Sequence, residues 1–133
     1  MGKRQIMEHY GAKLTNYRWS WDGVRKDGSV IFLGWKDEVK QNRDNTFECR
    51  IREDSHPANV KLGGQERERH IVEILKRDSA AYLLIAIAKD EHAITRRIEK
   101  VEETLFPVRL VRRGSEVFAV STTQRGLAPT LEP

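Results

Sequence analysis

The feature that most constrains this chain is an uncharged apolar run at residues 80–88, AAYLLIAIA. The run is far shorter than the roughly 20 residues that a membrane-spanning helix needs. A short apolar run that ends at charged residues, here Lys89 and Asp90, is typical of a β-strand covered on both faces. We therefore predict a core strand at residues 82–88 and expect no membrane partner.

Alternating or apolar segments beside turn signals predict five further strands. Residues 18–24 (RWSWDGV) and 30–35 (VIFLGW) flank a Lys-Asp-Gly turn and predict a β-hairpin. Residues 46–51 (TFECRI) predict a third strand, and residues 108–120 predict a second hairpin around an Arg-Gly-Ser turn. Gly34 lies inside a predicted strand, which indicates either a β-bulge or a close backbone approach.

Two segments have apolar residues at helical spacing. Residues 65–77 (QERERHIVEILKR) predict one helix, and residues 90–105, which begin with the good N-cap residue Asp90, predict a second. The predicted fold is α+β, with a mixed, barrel-like sheet of about six strands and two packed helices. We predict a single domain over residues 1–125 and a frayed tail over residues 126–133.

Charge and cysteine content narrow the classes of function. The chain has 24 Lys and Arg against 20 Asp and Glu, and this formal net charge of +4 modestly favours nucleic acid as a partner. Cys49 is the single cysteine, which excludes an intramolecular disulfide and indicates a reducing, cytoplasmic setting. The histidines are dispersed and no glycine-rich phosphate loop occurs, so we expect neither a metal nor a cofactor.

An aromatic cluster is the main functional signal. The ring-bearing residues are Tyr17, Trp19, Trp21 and Trp35, and the cations nearest to them in sequence are Arg18, Arg25 and Lys36. Rings that stack nucleobases beside cations that neutralise phosphates are typical of nucleic-acid binding, where each stacked base contributes about 1–3 kcal/mol. The alternative is that the rings face inward and belong to the core. The sequence leaves both interpretations open.

Two further groups of cations are candidate phosphate contacts. Arg67 and Arg69 lie at the start of the first predicted helix, and Arg112 and Arg113 lie at the tip of the second hairpin. A helix start and an unpaired Arg-Arg-Gly turn can each grip a nucleic-acid backbone. Ordinary surface pairs with nearby glutamates explain the helical residues equally well.

A metal-dependent nuclease is the first alternative function. Asp22 or Asp27, followed by Glu38 and Lys40, matches the loose pattern in which two carboxylates hold a hard cation and a lysine supports the attacking water. Residue types this common match by chance in many charged chains, and a solvated strand end explains them equally well. The second alternative is a phage or mobile-element module that binds a protein through exposed aromatic residues.

Several segments carry a family resemblance that spans residues 11–121. They are NYRWSW, DGSVIFLGWKDE, GQERERHI, an Arg-Arg-Ile and the final hairpin. This combination resembles small DNA-binding domains of modification-dependent restriction proteins, which precede a nuclease module. The chain is also similar to the PUA-like group, including EVE and YTH domains, which implies a barrel with an aromatic pocket for a modified base.

These resemblances imply a reader that performs no chemistry itself. No His-Asn-His arrangement follows in this chain, so cleavage would need the Asp…Glu-x-Lys residues or a separate nuclease partner. We therefore predict a nucleic-acid-binding domain, for DNA rather than RNA, that is not an enzyme. Exposed rings also make a homodimer conceivable.

Overall fold

The computed structural model describes residues 2–53 and 56–122. Two α-helices and nine β-strands make up this part of the chain, and two 3₁₀ turns occur at Lys36–Glu38 and Pro57–Val60. In chain order the elements are α1 (Lys3–His9), β1 (Ala12–Lys13), β2 (Gly23–Arg25), β3 (Val30–Trp35), β4 (Val39–Gln41), β5 (Phe47–Arg52), α2 (Leu62–Arg77), β6 (Ala81–Ala88), β7 (Ile98–Val101), β8 (Phe106–Arg113) and β9 (Glu116–Ser121).

The strands form one mixed sheet, so the predicted α+β class is confirmed. The strand order is β1-β2-β3-β6-β8-β9-β5-β4, and β7 pairs with part of β6. The β3–β6 pair is parallel and the remaining pairs are antiparallel. Within the described residues the strands number nine rather than six, and no ladder joins β1 to β4, so backbone hydrogen bonds do not close the sheet into a barrel.

Strand β6 is the centre of the core, as its apolar composition predicts. Leu83 and Ile85 point to one face of the sheet, where they join α2 in one apolar cluster. Leu84 and Ala86 point to the opposite face, where they join α1 in a second cluster. Because the two helices cover opposite faces, β6 is buried on both sides and needs no polar face.

Strands β3 and β5 come close together without pairing. A Cβ added at Gly34 would lie 2.7 Å from the Sγ atom of Cys49 and 2.9 Å from the Leu83 Cδ1 atom. The Cys49 thiol points at the carbonyl oxygen of Trp35, at a distance of 3.6 Å. The sheet therefore curls until β3 meets β5, and the atoms that come close to Gly34 belong to the side chains of Cys49 and Leu83 rather than to a backbone. We call this unpaired junction the β3–β5 seam.

The predicted second helix at residues 90–105 is wrong. Residues 89–97 form a loop, which is closed by a hydrogen bond from the Lys89 backbone N–H to the Arg97 carbonyl oxygen, and β7 follows. The apolar residues at helical spacing serve different purposes, because Val101 is buried beside α1 whereas Ile94 is exposed. The second helix of the fold is instead α1, a seven-residue helix in which only Ile6 and Met7 are buried.

Both predicted hairpins exist, with changed limits. Gly28 and Gly114 adopt positive φ angles of 85° and 63° in the two turns, which explains why glycine stands there. The first hairpin begins only at Gly23, so residues 18–22 are not a strand. No helix in the described part of the chain is long and apolar enough to cross a bilayer. The tail predicted at residues 126–133 lies outside the described residues.

Candidate nucleic-acid interface

The segment that carries Trp19 and Trp21 is a compact loop. Ser20 is buried at its centre, where its backbone N–H donates to the Asn16 carbonyl oxygen at 2.9 Å and its hydroxyl oxygen accepts from the Asn16 backbone N–H at 3.0 Å. The Lys3 ammonium donates to the Ser20 carbonyl oxygen at 2.7 Å. With the backbone turned inward in this way, the two indole rings remain half-buried on the outside.

Helix α2 packs directly against this loop at Gly63. A Cβ at that position would lie 2.5 Å from the carbonyl oxygen of Trp19 and 2.6 Å from the Trp21 Nε1 atom. Any larger residue would push the helix and the loop apart, because real Cβ contacts are longer. Gly63 therefore fixes where the two tryptophans lie relative to α2.

A buried ion pair joins the loop, the helix and the β3–β5 seam. Asp22 is 1% exposed and Arg67 is 6% exposed, and an Arg67 Nη2 atom lies 2.5 Å from the Asp22 Oδ1 atom. Arg67 also donates to the carbonyl oxygens of Leu33 at 2.7 Å and Ile51 at 2.9 Å. The Leu33 backbone N–H donates to Asp22 at 3.4 Å.

These contacts replace a missing strand. Because β2 pairs only with Val30 and Ile31, the edge of β3 is open from Phe32 onward. Asp22 and Arg67 satisfy the Leu33 backbone there, as buried polar groups require. Arg67 is therefore an internal brace, and the prediction that it contacts phosphate is not supported by its position.

The electrostatics of Asp22 match this structural role. Burial alone would raise the pKa of its carboxyl group, but the Arg67 charge and hydrogen bonds from His70 and Arg67 outweigh burial. The pKa of Asp22 is therefore below its usual value, and its carboxylate is ionised at neutral pH.

One cavity in the described part of the chain lies at the β3–β5 seam. Its volume is about 660 Å³, within the range of roughly 300–1,000 Å³ that is typical of ligand sites. Trp21 and Trp35 line it, and Leu33, Gly34 and Ile51 add to its apolar lining. We call this space the seam cavity.

The loop at residues 89–97 forms one side of the seam cavity and is tied to Trp35. The Arg96 guanidinium lies 5.4 Å from the centre of the Trp35 ring. Two hydrogen bonds, at 2.6 and 2.9 Å, attach Arg96 to Asp37, and they raise the pKa of Arg96 above its usual value. Trp35 is thus held in place by a cation that is itself neutralised.

The rim of the seam cavity is rich in cations. The lining residues include Lys3, Arg18, Arg50, Arg52, Lys61, Arg67, Arg96 and Arg97, against Glu38, Glu53 and Glu91. Arg50 and Arg52 are paired with glutamates, whereas Arg18, Lys61 and Arg97 are exposed and have no carboxylate partner among residues 2–53 and 56–122. These three are the cations free to meet an anionic ligand.

A second, smaller cavity lies next to the first. Trp19, Trp21 and Lys61 line it together with Val60, Leu62, Gly63 and Gln65, and its volume is about 470 Å³. It lies between the tryptophan loop and the first turn of α2. We call it the α2 cleft.

The remaining predicted aromatic and basic residues lie elsewhere. Tyr17 is exposed, and the Arg4 and Arg18 guanidiniums lie 5.0 and 5.8 Å from its ring centre. Arg25 lies over the Tyr82 ring. Lys36 pairs with Glu102 at 3.0 Å, and Arg69 is exposed on α2. None of these except Arg18 lines the seam cavity or the α2 cleft.

The arginines at the tip of the second hairpin are paired, contrary to the expectation of an unpaired turn. Arg113 makes two hydrogen bonds to Glu48, at 2.6 and 3.2 Å, and Arg112 contacts Glu68 at 3.2 Å. The Arg113 bond lowers the pKa of Glu48, and it raises the pKa of Arg113. A phosphate would have to compete with these carboxylates.

The candidate nuclease residues are not brought together. The Asp22 carboxylate faces Arg67, and Asp27 accepts from Ser29 in the β2–β3 turn. Glu38 pairs with Arg50 beyond the other end of β3, a six-residue strand of roughly 20 Å. Lys40 is exposed on β4. Within the described residues, no group of three or more potential ligands is placed to hold a metal ion.

Sequence reasoning missed several residues of the site. Arg50, Arg52 and Lys61 line the seam cavity although they were not candidates, and Arg96 and Arg97 were assigned to a helix that does not exist. The position of Arg50 on the polar face of the predicted third strand was a usable signal. The loop residues offered none, because their position depends on distant contacts.

Cys49 is not available for chemistry. Burial raises the pKa of its thiol to about 12, so the reactive thiolate is scarce at neutral pH.

No protein-family model, no curated protein and no solved structure matches this chain.

Proposed function

We propose that this chain is a non-enzymatic nucleic-acid-binding domain that takes an unstacked base into the seam cavity. The observation that carries the proposal is the combination of the Trp21 and Trp35 rings with unpaired cations at one cavity of ligand size. A base provides an apolar π-face for the rings and brings a phosphate to the rim. Arg18, Lys61 and Arg97 are the proposed phosphate contacts.

The resemblance to modification-dependent restriction domains and PUA-like readers supports two finer points of this proposal. The ligand is DNA ahead of RNA, and the preferred base is a modified one. Such a reader works in the cytoplasm and leaves any cleavage to a nuclease partner. We do not propose the Asp…Glu-x-Lys nuclease, because Asp22 is committed to Arg67 and Glu38 to Arg50.

Quenching of tryptophan fluorescence during titration tests this proposal. The oligonucleotides are single-stranded DNA, duplex DNA, RNA of the same sequence, and DNA that carries 5-methylcytosine. We expect saturable quenching at low salt. Trp35→Ala is expected to weaken binding by about 1–3 kcal/mol, the value of one stacked base. Val72→Ala, which changes an exposed apolar residue outside both cavities, is expected to be neutral.

The salt dependence of binding gives an independent check. Three contacts to single-stranded phosphates predict a slope of about −2 for log K against log salt concentration. Arg97→Ala should make the slope shallower by about 0.7, whereas Arg113→Ala should leave it unchanged because Arg113 is paired with Glu48. Absence of binding by every oligonucleotide at low salt rejects the proposal, and so does an equal effect of the Trp35 and Val72 variants.

A further inference from the structure

The seam cavity and the α2 cleft share two lining residues. Trp21 and Lys61 belong to the walls of both, so the two spaces adjoin at one ring and one cation. Each cavity also has an indole of its own, Trp35 in the first and Trp19 in the second. Two adjoining spaces of similar construction match two consecutive units of one chain-like ligand.

The α2 cleft exposes aliphatic side chains that do little for folding. Val60 is 77% exposed and Leu62 is 57% exposed, although both border a cavity with an indole wall. Side chains so open to water contribute little hydrophobic stabilisation to the folded chain. Together with Trp19 they form an apolar surface that a flat ring can cover.

Lys61 separates the two aliphatic residues in the sequence and the two cavities in space. It is exposed, and it has no carboxylate partner in the part of the chain that the structure describes. The arrangement is therefore apolar space, cation, apolar space. A dinucleotide has the complementary order of base, phosphate, base, whereas a neutral apolar peptide gives the cation no partner.

Resting on the proposed function, we infer that the ligand is a single-stranded segment of at least two consecutive nucleotides. One base occupies the seam cavity, its neighbour lies on Trp19, Val60 and Leu62 in the α2 cleft, and Lys61 meets the phosphate that joins them. Both bases must leave the helical stack to reach two separate cavities. A paired duplex therefore cannot make both contacts.

Affinity as a function of ligand length tests this inference. The probes are 5′-phosphorylated deoxynucleotides of one, two and three units, in homopolymer series of the four bases and 5-methylcytosine. A longer oligonucleotide is tested as a single strand and as a stable duplex with its complement. The expected gain from one unit to two is about 5- to 150-fold, which corresponds to the roughly 1–3 kcal/mol of one stacked base, and the gain from two to three is smaller. We expect the second base to supply the gain from one unit to two.

Leu62→Asn should abolish most of that gain without changing the affinity for the single nucleotide. Val72→Asn is the matched control, because Val72 is an exposed aliphatic residue of α2 that lines neither cavity. Circular dichroism of both variants checks that the fold is retained.

The outcomes separate this inference from the proposed function. The inference is wrong if one and two units bind with equal affinity, if Leu62→Asn behaves like Val72→Asn, or if the duplex binds more tightly than the single strand. None of these three results contradicts the proposed function. If no probe of any length binds, the proposed function itself fails. A gain from one unit to two that is lost in Leu62→Asn alone supports the inference.

Discussion

Replacing Asp22 by asparagine tests whether the buried ion pair holds the candidate site together. Asparagine keeps an oxygen that can accept from the Leu33 backbone N–H, but it leaves the Arg67 guanidinium without a counter-charge. Because Arg67 is 6% exposed, water cannot replace the lost carboxylate. Removing one partner of a buried pair costs about 3–5 kcal/mol, and we expect a loss in that range.

Urea denaturation followed by circular dichroism measures the loss. With a slope of about 2 kcal/mol per molar, a loss near 4 kcal/mol lowers the unfolding midpoint by about 2 M. Asp27→Asn is the matched control, since it makes the same chemical change in an exposed turn, and we expect its midpoint to stay near that of wild type. An Asp22→Asn midpoint that also stays near wild type refutes the bracing role.

The pH dependence of the same experiment follows from the lowered pKa of Asp22. A group whose pKa is lower in the folded state contributes its stability fully above its unfolded pKa, near about 3.9 for aspartate. That contribution disappears as the pH falls through the folded pKa. The stability difference between wild type and Asp22→Asn should therefore be present at neutral pH and shrink below about pH 4. A difference that grows in acid contradicts this account.

Three further predictions concern the packing around the site. Gly63→Ala should weaken oligonucleotide binding in a fluorescence titration, because its Cβ would lie 2.5 Å from the Trp19 carbonyl oxygen, and unchanged affinity counts against the proposed packing. Gly34→Ala should lower the free energy of unfolding, measured by urea denaturation, by about 1–3 kcal/mol. Adding Cys49→Ala should recover part of this loss, because it removes the Sγ atom that would lie 2.7 Å from the new Cβ. If the losses of the two single variants simply add, the seam contact is contradicted. Native Cys49 should react with iodoacetamide at pH 8 at least about 100-fold more slowly than in urea, because its thiol pKa is about 12 and it is buried, and equal rates refute the assignment.

The sequence predicted the elements whose signals are local. The apolar composition of β6 indicated a strand covered on both faces, and the glycines of both hairpin turns were placed correctly. Gly34 indicated a close approach, although its partner Cys49 lies on a strand that is not adjacent in the sheet. In each case a single residue type or a short run records the constraint.

The tryptophan loop shows why the rest could not be predicted. The alternation of residues 19–22 is real, but Ser20 and Asp22 are buried while the two indoles remain half-exposed. Asp22 is stable inside because Arg67 neutralises it, and these two residues are 45 positions apart in the sequence. Alternation identifies two faces, but only the distant partner determines which face is buried.

The loop at residues 89–97 illustrates a second limit. The helical spacing of apolar residues over residues 90–105 coincides with positions that the structure uses differently, because Val101 is buried beside α1 whereas Ile94 is exposed. Arg96 reaches Trp35 only because Asp37, in the 3₁₀ turn after β3, attaches it there. The seam cavity is thus assembled from segments far apart in the chain, and no local pattern could have indicated it.

The most direct test of the central claim is an NMR titration of the three indole N–H groups with ¹⁵N-labelled protein and single-stranded DNA. Trp→Phe variants assign the three resonances. The account predicts saturable shifts of the Trp21 and Trp35 signals, because both rings line the seam cavity. If the oligonucleotide binds by fluorescence anisotropy while the Trp21 and Trp35 signals do not move, the base does not enter the seam cavity and the claim is wrong.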